Sequence, residues 1–176
     1  IFVGRKDELR QLENMYKTRR PHAIVIKGRR RVGKSRLVAE FAKNKPFLWF
    51  KAKPPKKDET KQDKLDEFRK RLQEQIEIEI PFFDDWFWAL VFLKKILKPG
   101  TVLLFDEISW MSHGDDGLVG ELKNFWDEID HAGWHIMFFI CGSVSTWIEK
   151  HITWGTALHG RLSWNIQLQP LSIPES

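Results

Sequence analysis

The chain has 176 residues, 42% of them apolar and 30% charged, with a formal net charge of +5. That balance suits one globular domain with a real core and excludes a disordered or fibrous chain. Its apolar runs, Ile136–Cys141 and the longer Trp86–Leu93, are far short of the roughly 20 residues that span a bilayer, and its single cysteine excludes an internal disulfide, as suits a reducing cytoplasm.

In chain order, Leu9, Leu12, Met15 and Tyr16 recur at helical spacing and predict a first helix from about Arg5 to Arg19, closed by Pro21. Ala23–Lys27 reads as a strand and Lys34–Lys43 as a helix. Between them stands Gly28-Arg29-Arg30-Arg31-Val32-Gly33-Lys34-Ser35, a G-x-x-x-x-G-K-S loop in the strand-then-helix context of a P-loop. Gly28 and Gly33 allow a tight fold, so that successive N–H groups turn toward phosphate oxygens. The helix N-terminus adds its positive dipole end at the same spot. Lys34 is expected to reach the β- and γ-phosphates and the Ser35 hydroxyl to ligate Mg²⁺. The intervening arginines and Val32, with Arg36 just beyond, complete a cradle for a nucleoside triphosphate.

Phe47–Phe50 predicts a second, buried strand, and Lys53–Lys61 a charged, proline-interrupted loop. Leu65, Phe68, Leu72 and Ile76 mark an amphipathic helix. Another runs from about Asp84 to Lys98 and ends at Pro99-Gly100. Thr101–Phe105 is a continuous apolar strand of the kind found inside a parallel sheet. It leads into Asp106-Glu107, the Walker B pattern. Asp106 is expected to hold Mg²⁺ beside Ser35, and Glu107 to orient or deprotonate the attacking water. A GTPase is disfavoured, because position 109 is Ser where its switch needs Gly, and Asn44-Lys45 lacks the following x-Asp.

Leu118, Leu122, Phe125, Trp126 and Ile129 give the next helix, and Ile136–Cys141 the next strand, ending in Gly142-Ser143. Ser143 is a candidate polar contact to the γ-phosphate or the lytic water, with Ser145 as fallback; the alternative is a plain Gly-Ser turn. A short helix over Thr146–His151 and a strand over Ser163–Leu168 complete the chain. Strands alternating with helices imply an α/β three-layer sandwich around a parallel sheet.

Phe2-Val3-Gly4-Arg5, the arginine-rich P-loop, Leu104-Phe105-Asp106-Glu107-Ile108, Cys141-Gly142-Ser143 and Gly160-Arg161-Leu162-Ser163 together resemble the archaeal ATPase family, placed among AAA+ and STAND-type P-loop NTPases. The similarity covers essentially the whole chain. It implies an ASCE core with strand order 5-1-4-3-2, binding ATP and ADP with Mg²⁺, and ATP hydrolysis that drives a conformational or assembly change. It also implies that Phe2, Val3 and Arg5 lie against adenine. Arg161 falls where relatives carry an arginine that senses γ-phosphate, across a subunit boundary in a self-associated state; the alternative is a structural arginine. Residues 1–170 read as the ATPase core and 171–176 as the start of a truncated lid. A DNA or protein partner would then engage C-terminal domains beyond Ser176. A nucleotide-gated interaction switch with little turnover, and a DNA-associated module, stand as alternative readings.

Other features read as structural. His131 and His135 are spaced i, i+4, but Gly133 intervenes and no third ligand is near. Asp115-Asp116 reads as a solvated loop, and the run Lys51, Lys53, Lys56, Lys57, Lys61 and Lys64 as a solvated face with nucleic-acid contact as the alternative. The nine tryptophans read as packing rather than base stacking.

Overall fold

Five extended segments, each apolar on the side it buries, form a single parallel sheet in the computed structural model, which describes residues 5–114, 117–153, 158 and 160–171. The strands are β1 (His22–Lys27), β2 (Phe47–Lys51), β3 (Thr101–Asp106), β4 (Ile136–Gly142) and β5 (Trp164–Gln167). Their order is β2-β3-β4-β1-β5. This is the expected order 5-1-4-3-2, read from the other edge. β3 and β4 are buried along their whole lengths, which is why they read as unbroken apolar runs.

Helices cover both faces. On one, α1 (Lys6–Lys17) and α2 (Lys34–Phe41) place Leu12, Leu37, Val38 and Phe41 against Ile24, Ile26, Leu104 and Phe139. On the other, α3 (Lys61–Gln75), α4 (Trp86–Ile96) and α6 (Gly117–Ala132) place Phe68, Trp86, Leu122 and Trp126 against Leu103, Phe105 and Phe138. Phe138 is the hub of that layer, with the rings of Phe105, Phe125 and Trp126 centred 5.1, 5.7 and 5.6 Å from its own. Burying each such side chain contributes about 1.5–3 kcal/mol. The three-layer sandwich therefore follows from two apolar sheet faces that each need a cover.

Some element ends differ from the sequence expectation. α4 stops at Ile96 because Leu97 turns extended (φ −69°, ψ 130°) ahead of Pro99. A short helix α5 (Ile108–Met111) follows β3, too brief for periodicity to show it. The last predicted helix is α7 (Ser145–Ile148) running into a π-helical turn, Glu149–Thr153. α3 begins with a capping box in which Thr60 and Asp63 satisfy each other's backbone N–H groups.

β2 is one of the two sheet edges, and side chains close it. Trp49 donates its backbone N–H to the Gln75 side-chain oxygen at 2.9 Å, and the Gln75 amide donates back to the Trp49 carbonyl at 2.7 Å. Gln75 thus stands in for a neighbouring strand, which keeps the edge from pairing with another chain. No helix among the described residues is long and apolar enough to cross a membrane.

Candidate functional site

Because β4 lies between β1 and β3, the C-terminal ends of all three strands deliver their loops to one place, where open α/β sheets bind ligands. β1 delivers the Gly28–Ser35 loop, β3 delivers Asp106 and Glu107, and β4 delivers Ser143. The loop, Asp106 and Glu107 border a cleft of about 420 Å³, and Ser143 reaches it through Glu107.

The loop's shape is dictated by its glycines. A Cβ on Gly28 would stand 2.9 Å from the Leu168 carbonyl oxygen and 2.9 Å from Val32 Cγ1, so any larger residue would have to push the loop off the sheet. Gly33 is left-handed at φ 104° and caps α2 without any side-chain hydrogen bond. The N-terminus of α2 therefore brings its positive dipole end to the cleft without a side-chain cap in front of it.

Lys34 is buried, and its ammonium donates to the carbonyls of Gly28 at 2.7 Å and Arg29 at 2.9 Å. Burial pulls its pKa below the ordinary lysine value, with the Glu107 carboxylate opposing that shift. The side chain is thus held within its own loop by two neutral acceptors, which a phosphate oxygen could replace with a stronger, charged one.

Asp106 is 3% exposed. Burial pushes its carboxyl above the ordinary aspartate range, against the pull of Lys51, a hydrogen bond from the Ser35 hydroxyl, and Lys34. A buried carboxylate adjoining a hydroxyl on a helix N-terminus is a hard, oxygen-only donor pair, the kind with which a protein holds Mg²⁺ when substrate phosphates and water supply the other ligands. The residues fit that ion. Among the described residues no group of three or more His, Cys, Asp or Glu forms an all-protein metal cage, and His135 packs on the Tyr16 ring at 4.5 Å.

Glu107 is 6% exposed and left-handed at φ 58°, ψ 56°, an unusual conformation for a side-chain-bearing residue. The Ser143 hydroxyl donates to Glu107 Oε2 at 3.2 Å. Strand end and turn thereby aim the carboxylate, and the neighbouring strand end restrains it.

The remaining expected residues are distributed unevenly. Arg30, Arg31 and Arg36 line the cleft, and the Arg30 guanidinium sits 5.2 Å over the Trp110 ring. Arg5 donates to the Val32 carbonyl at 3.4 Å and to the Gln169 carbonyl, and pairs with Glu8 at 3.6 Å. It ties the start of α1 and the segment after β5 to the P-loop. Phe2, Val3, Gly4, Asp115, Asp116, Trp154 and 172–176 lie outside the described residues, as does the Ser145 side chain. Arg161 does not border the cleft; it pairs with Asp127 on α6 at 3.1 Å and lines a separate depression with it.

Two cleft residues escaped the sequence reading. Trp110 lies on the undetected helix α5, and Lys51 appeared only as part of a basic run. That run is not a uniformly solvated face. Lys51 lines the cleft, and Lys64 is buried, donating to the Lys53 carbonyl at 2.8 Å and pairing with Glu67 at 3.2 Å and Glu59 at 3.6 Å. The tryptophans divide too: Trp86 and Trp126 are core, whereas Trp49, Trp88 and Trp134 are exposed.

A family model for an ATPase domain found predominantly in Archaea matches residues 2–175. The chain is 26% identical over 175 residues to an uncharacterized protein of Methanocaldococcus jannaschii, a match covering 98% of this chain and 37% of that one. Its fold is similar to that of a Walker-type ATPase of Pyrococcus abyssi, with TM-score 0.66, 20% identity, and coverage of 99% of this chain and 56% of the other. It is also similar to the RuvB Holliday junction branch migration motor of Thermotoga maritima, with TM-score 0.57, 15% identity, and coverage of 99% and 48%. The chain spans only about a third to a half of the length of these proteins.

Proposed function

The chain belongs to the family of ATPase domains found predominantly in Archaea, and on that premise we propose that its cleft binds ATP with Mg²⁺ and hydrolyses it to drive a conformational or assembly change. The observation that carries this reading is the Glu107 carboxylate, buried beside Asp106 and Lys34 and restrained by Ser143. The loop N–H groups and the Lys34 ammonium bind the phosphates. As a water oxygen bonds to the γ-phosphorus, the bond from that phosphorus to the β,γ-bridging oxygen breaks and ADP leaves. Glu107 accepts the proton that the water gives up. Ser35 and Asp106 would hold Mg²⁺, which when bound supplies neutralising charge to the β- and γ-phosphates. Ser143 keeps Glu107 pointed at the water.

Glu107→Gln is expected to retain ATP affinity while steady-state hydrolysis falls by about 10²–10⁴-fold. Lys34→Ala is expected to lose ATP binding itself. Undiminished hydrolysis in Glu107→Gln would remove that residue from the chemistry.

A second reading, a nucleotide-gated switch with little turnover, draws support from Arg161. Its guanidinium is engaged by Asp127 rather than by the cleft. An arginine finger contributes about 10³–10⁵ in rate, so a domain without one turns over slowly until a neighbour supplies it. Hydrolysis per molecule that rises with protein concentration would favour self-association over the isolated switch.

A further inference from the structure

β1 ends in a lysine that the phosphate cleft does not use. Ala23 and Val25 face the layer of α3, α4 and α6, and strand alternation sends Lys27 to the same side. Ile148 of α7 and Ile152 of the π-helical turn are buried in that layer too. Lys27 is itself buried, and its ammonium donates to Glu149 Oε1 at 3.1 Å, an ion pair whose acidic member is half-exposed. Its backbone is fixed as well. The register pairs Lys27 with Gly142 at the end of β4, and its carbonyl accepts the Leu168 N–H at 2.7 Å. The next residue is Gly28, so the ammonium is anchored at the root of the P-loop. An apolar side chain of the same length would fill that space without desolvating a charge; what the ammonium adds is a directed hold on Glu149.

Glu149 lies at the far end of the segment that starts with Ser143. It opens the π-helical turn Glu149–Thr153, a rare geometry found mostly at functional sites. The segment before it is tightly wedged. A Cβ on Gly142 would stand 2.7 Å from Ile148 Cδ1 and 3.6 Å from Ile108 Cγ2, so α7 and the residue after Glu107 crowd the same point on β4. The Ile148 N–H donates to the Val144 carbonyl at 3.1 Å, which folds the segment back on itself. Ser143, at its near end, donates to the Glu107 carboxylate. The Lys27–Glu149 pair therefore fastens the far end of this segment to the strand that carries the P-loop.

We propose that the Lys27–Glu149 ion pair is a positioning clamp for hydrolysis, locking the segment that bears Ser143 to the root of the P-loop. This rests on the reading of the cleft as an ATPase site. Lys27 is a positioning residue: it acts on Glu107 through Glu149, α7 and Ser143. Phosphate binding depends on the loop and the helix it opens, and it survives loss of the clamp. The chemical step depends on how Glu107, delivered by β3, is placed against phosphates held by the β1 loop, and a small misplacement there slows it steeply.

The test is single-turnover ATP hydrolysis by the whole chain in Mg²⁺, paired with ATP affinity by isothermal titration. The variants are Lys27→Met, Lys27→Arg, Glu149→Gln, Lys150→Met, Ser143→Ala and the double variant Lys27→Met/Ser143→Ala. Lys27→Met and Glu149→Gln should each slow hydrolysis about tenfold and leave affinity within about twofold. Lys27→Arg should retain most of the rate, and Lys150→Met, on the exposed neighbour of Glu149, should match the unsubstituted protein. The double variant should be about as slow as either single one, because both act along one route. Should Lys27→Met fail to fold, Glu149→Gln breaks the same pair from its half-exposed side and is combined with Ser143→Ala instead. Full rates in Lys27→Met and Glu149→Gln, a loss confined to affinity, or an additive loss of about a hundredfold in the double variant would overturn the clamp. Glu107→Gln, still slow, would then leave the ATPase reading intact. An unsubstituted chain that does not hydrolyse ATP would overturn both readings.

Discussion

Glu107 occupies a left-handed backbone conformation, and that placement makes a quantitative prediction. Glu107→Ala and Glu107→Gly both delete the carboxylate and the hydrogen bond it accepts from Ser143. They differ only in a Cβ. In an ordinary helix interior Gly is the worse of the two by about 1 kcal/mol. At φ 58°, ψ 56° the Cβ crowds the backbone instead, at a cost of about 1–2 kcal/mol. Set against the extra freedom of Gly in the unfolded chain, about 0.5–1 kcal/mol, roughly 0.5–1 kcal/mol remains in favour of Gly. For a domain of this size the melting temperature of Glu107→Gly should exceed that of Glu107→Ala by about 1–4 °C. Parallel thermal melts of the two nucleotide-free variants, followed by circular dichroism, measure the gap. An alanine variant that melts at or above the glycine variant would refute the claim that backbone strain is stored at this position. The reversal matters for function, because a strained strand-to-helix turn survives where the surrounding structure over-determines it, and here it turns the carboxylate toward the cleft.

Two further outcomes follow from the same contacts. Ser143→Ala should leave ATP affinity within about twofold and slow hydrolysis about tenfold, since a hydrogen bond to a charged group contributes about 1.5–3 kcal/mol of positioning; unchanged kcat would reduce Ser143 to a turn residue. Asp106→Asn tests the pH dependence of the empty site. Burial raises the folded-state pKa of Asp106 above the ordinary aspartate value of 3.8, so the folded chain holds that proton more tightly than the unfolded one. The stabilisation is present below 3.8 and is lost as pH rises through the raised value, where the buried carboxylate ionises. In metal-free buffer Asp106→Asn should therefore melt above the unsubstituted protein near neutral pH, with the difference closing as pH falls toward 3.8; a gap that does not narrow would show that charge burial is not its cause.

How much of this was legible beforehand depended on where the determining contacts lie. The P-loop is local: Gly28, Gly33, Lys34 and Ser35 act through the conformation of their own eight residues and the helix they open, so spacing alone revealed them. The apolar runs of β3 and β4 announced strands buried on both faces. Other features had no local signature. Lys51 sat among lysines that differ from it only by register and burial, and Lys64, its neighbour in that run, proved to be buried among Lys53, Glu59 and Glu67. Arg161 had a motif but no visible partner, and Asp127, on a helix that precedes it by more than 30 positions, supplied one.

Residue types and spacings were therefore enough to predict the Gly28–Ser35 loop, an acidic pair behind it, and the α/β layering that brings them together. Only the folded sheet decided which groups meet: Ser143 with Glu107 across 36 residues, and Arg5 with the carbonyls of Val32 and Gln169. The reason is physical. Turns, caps and hydrophobic periodicity are set by forces between near neighbours in the chain, whereas electrostatic and hydrogen-bonded partnerships depend on strand order and register, which the packing of the whole core selects.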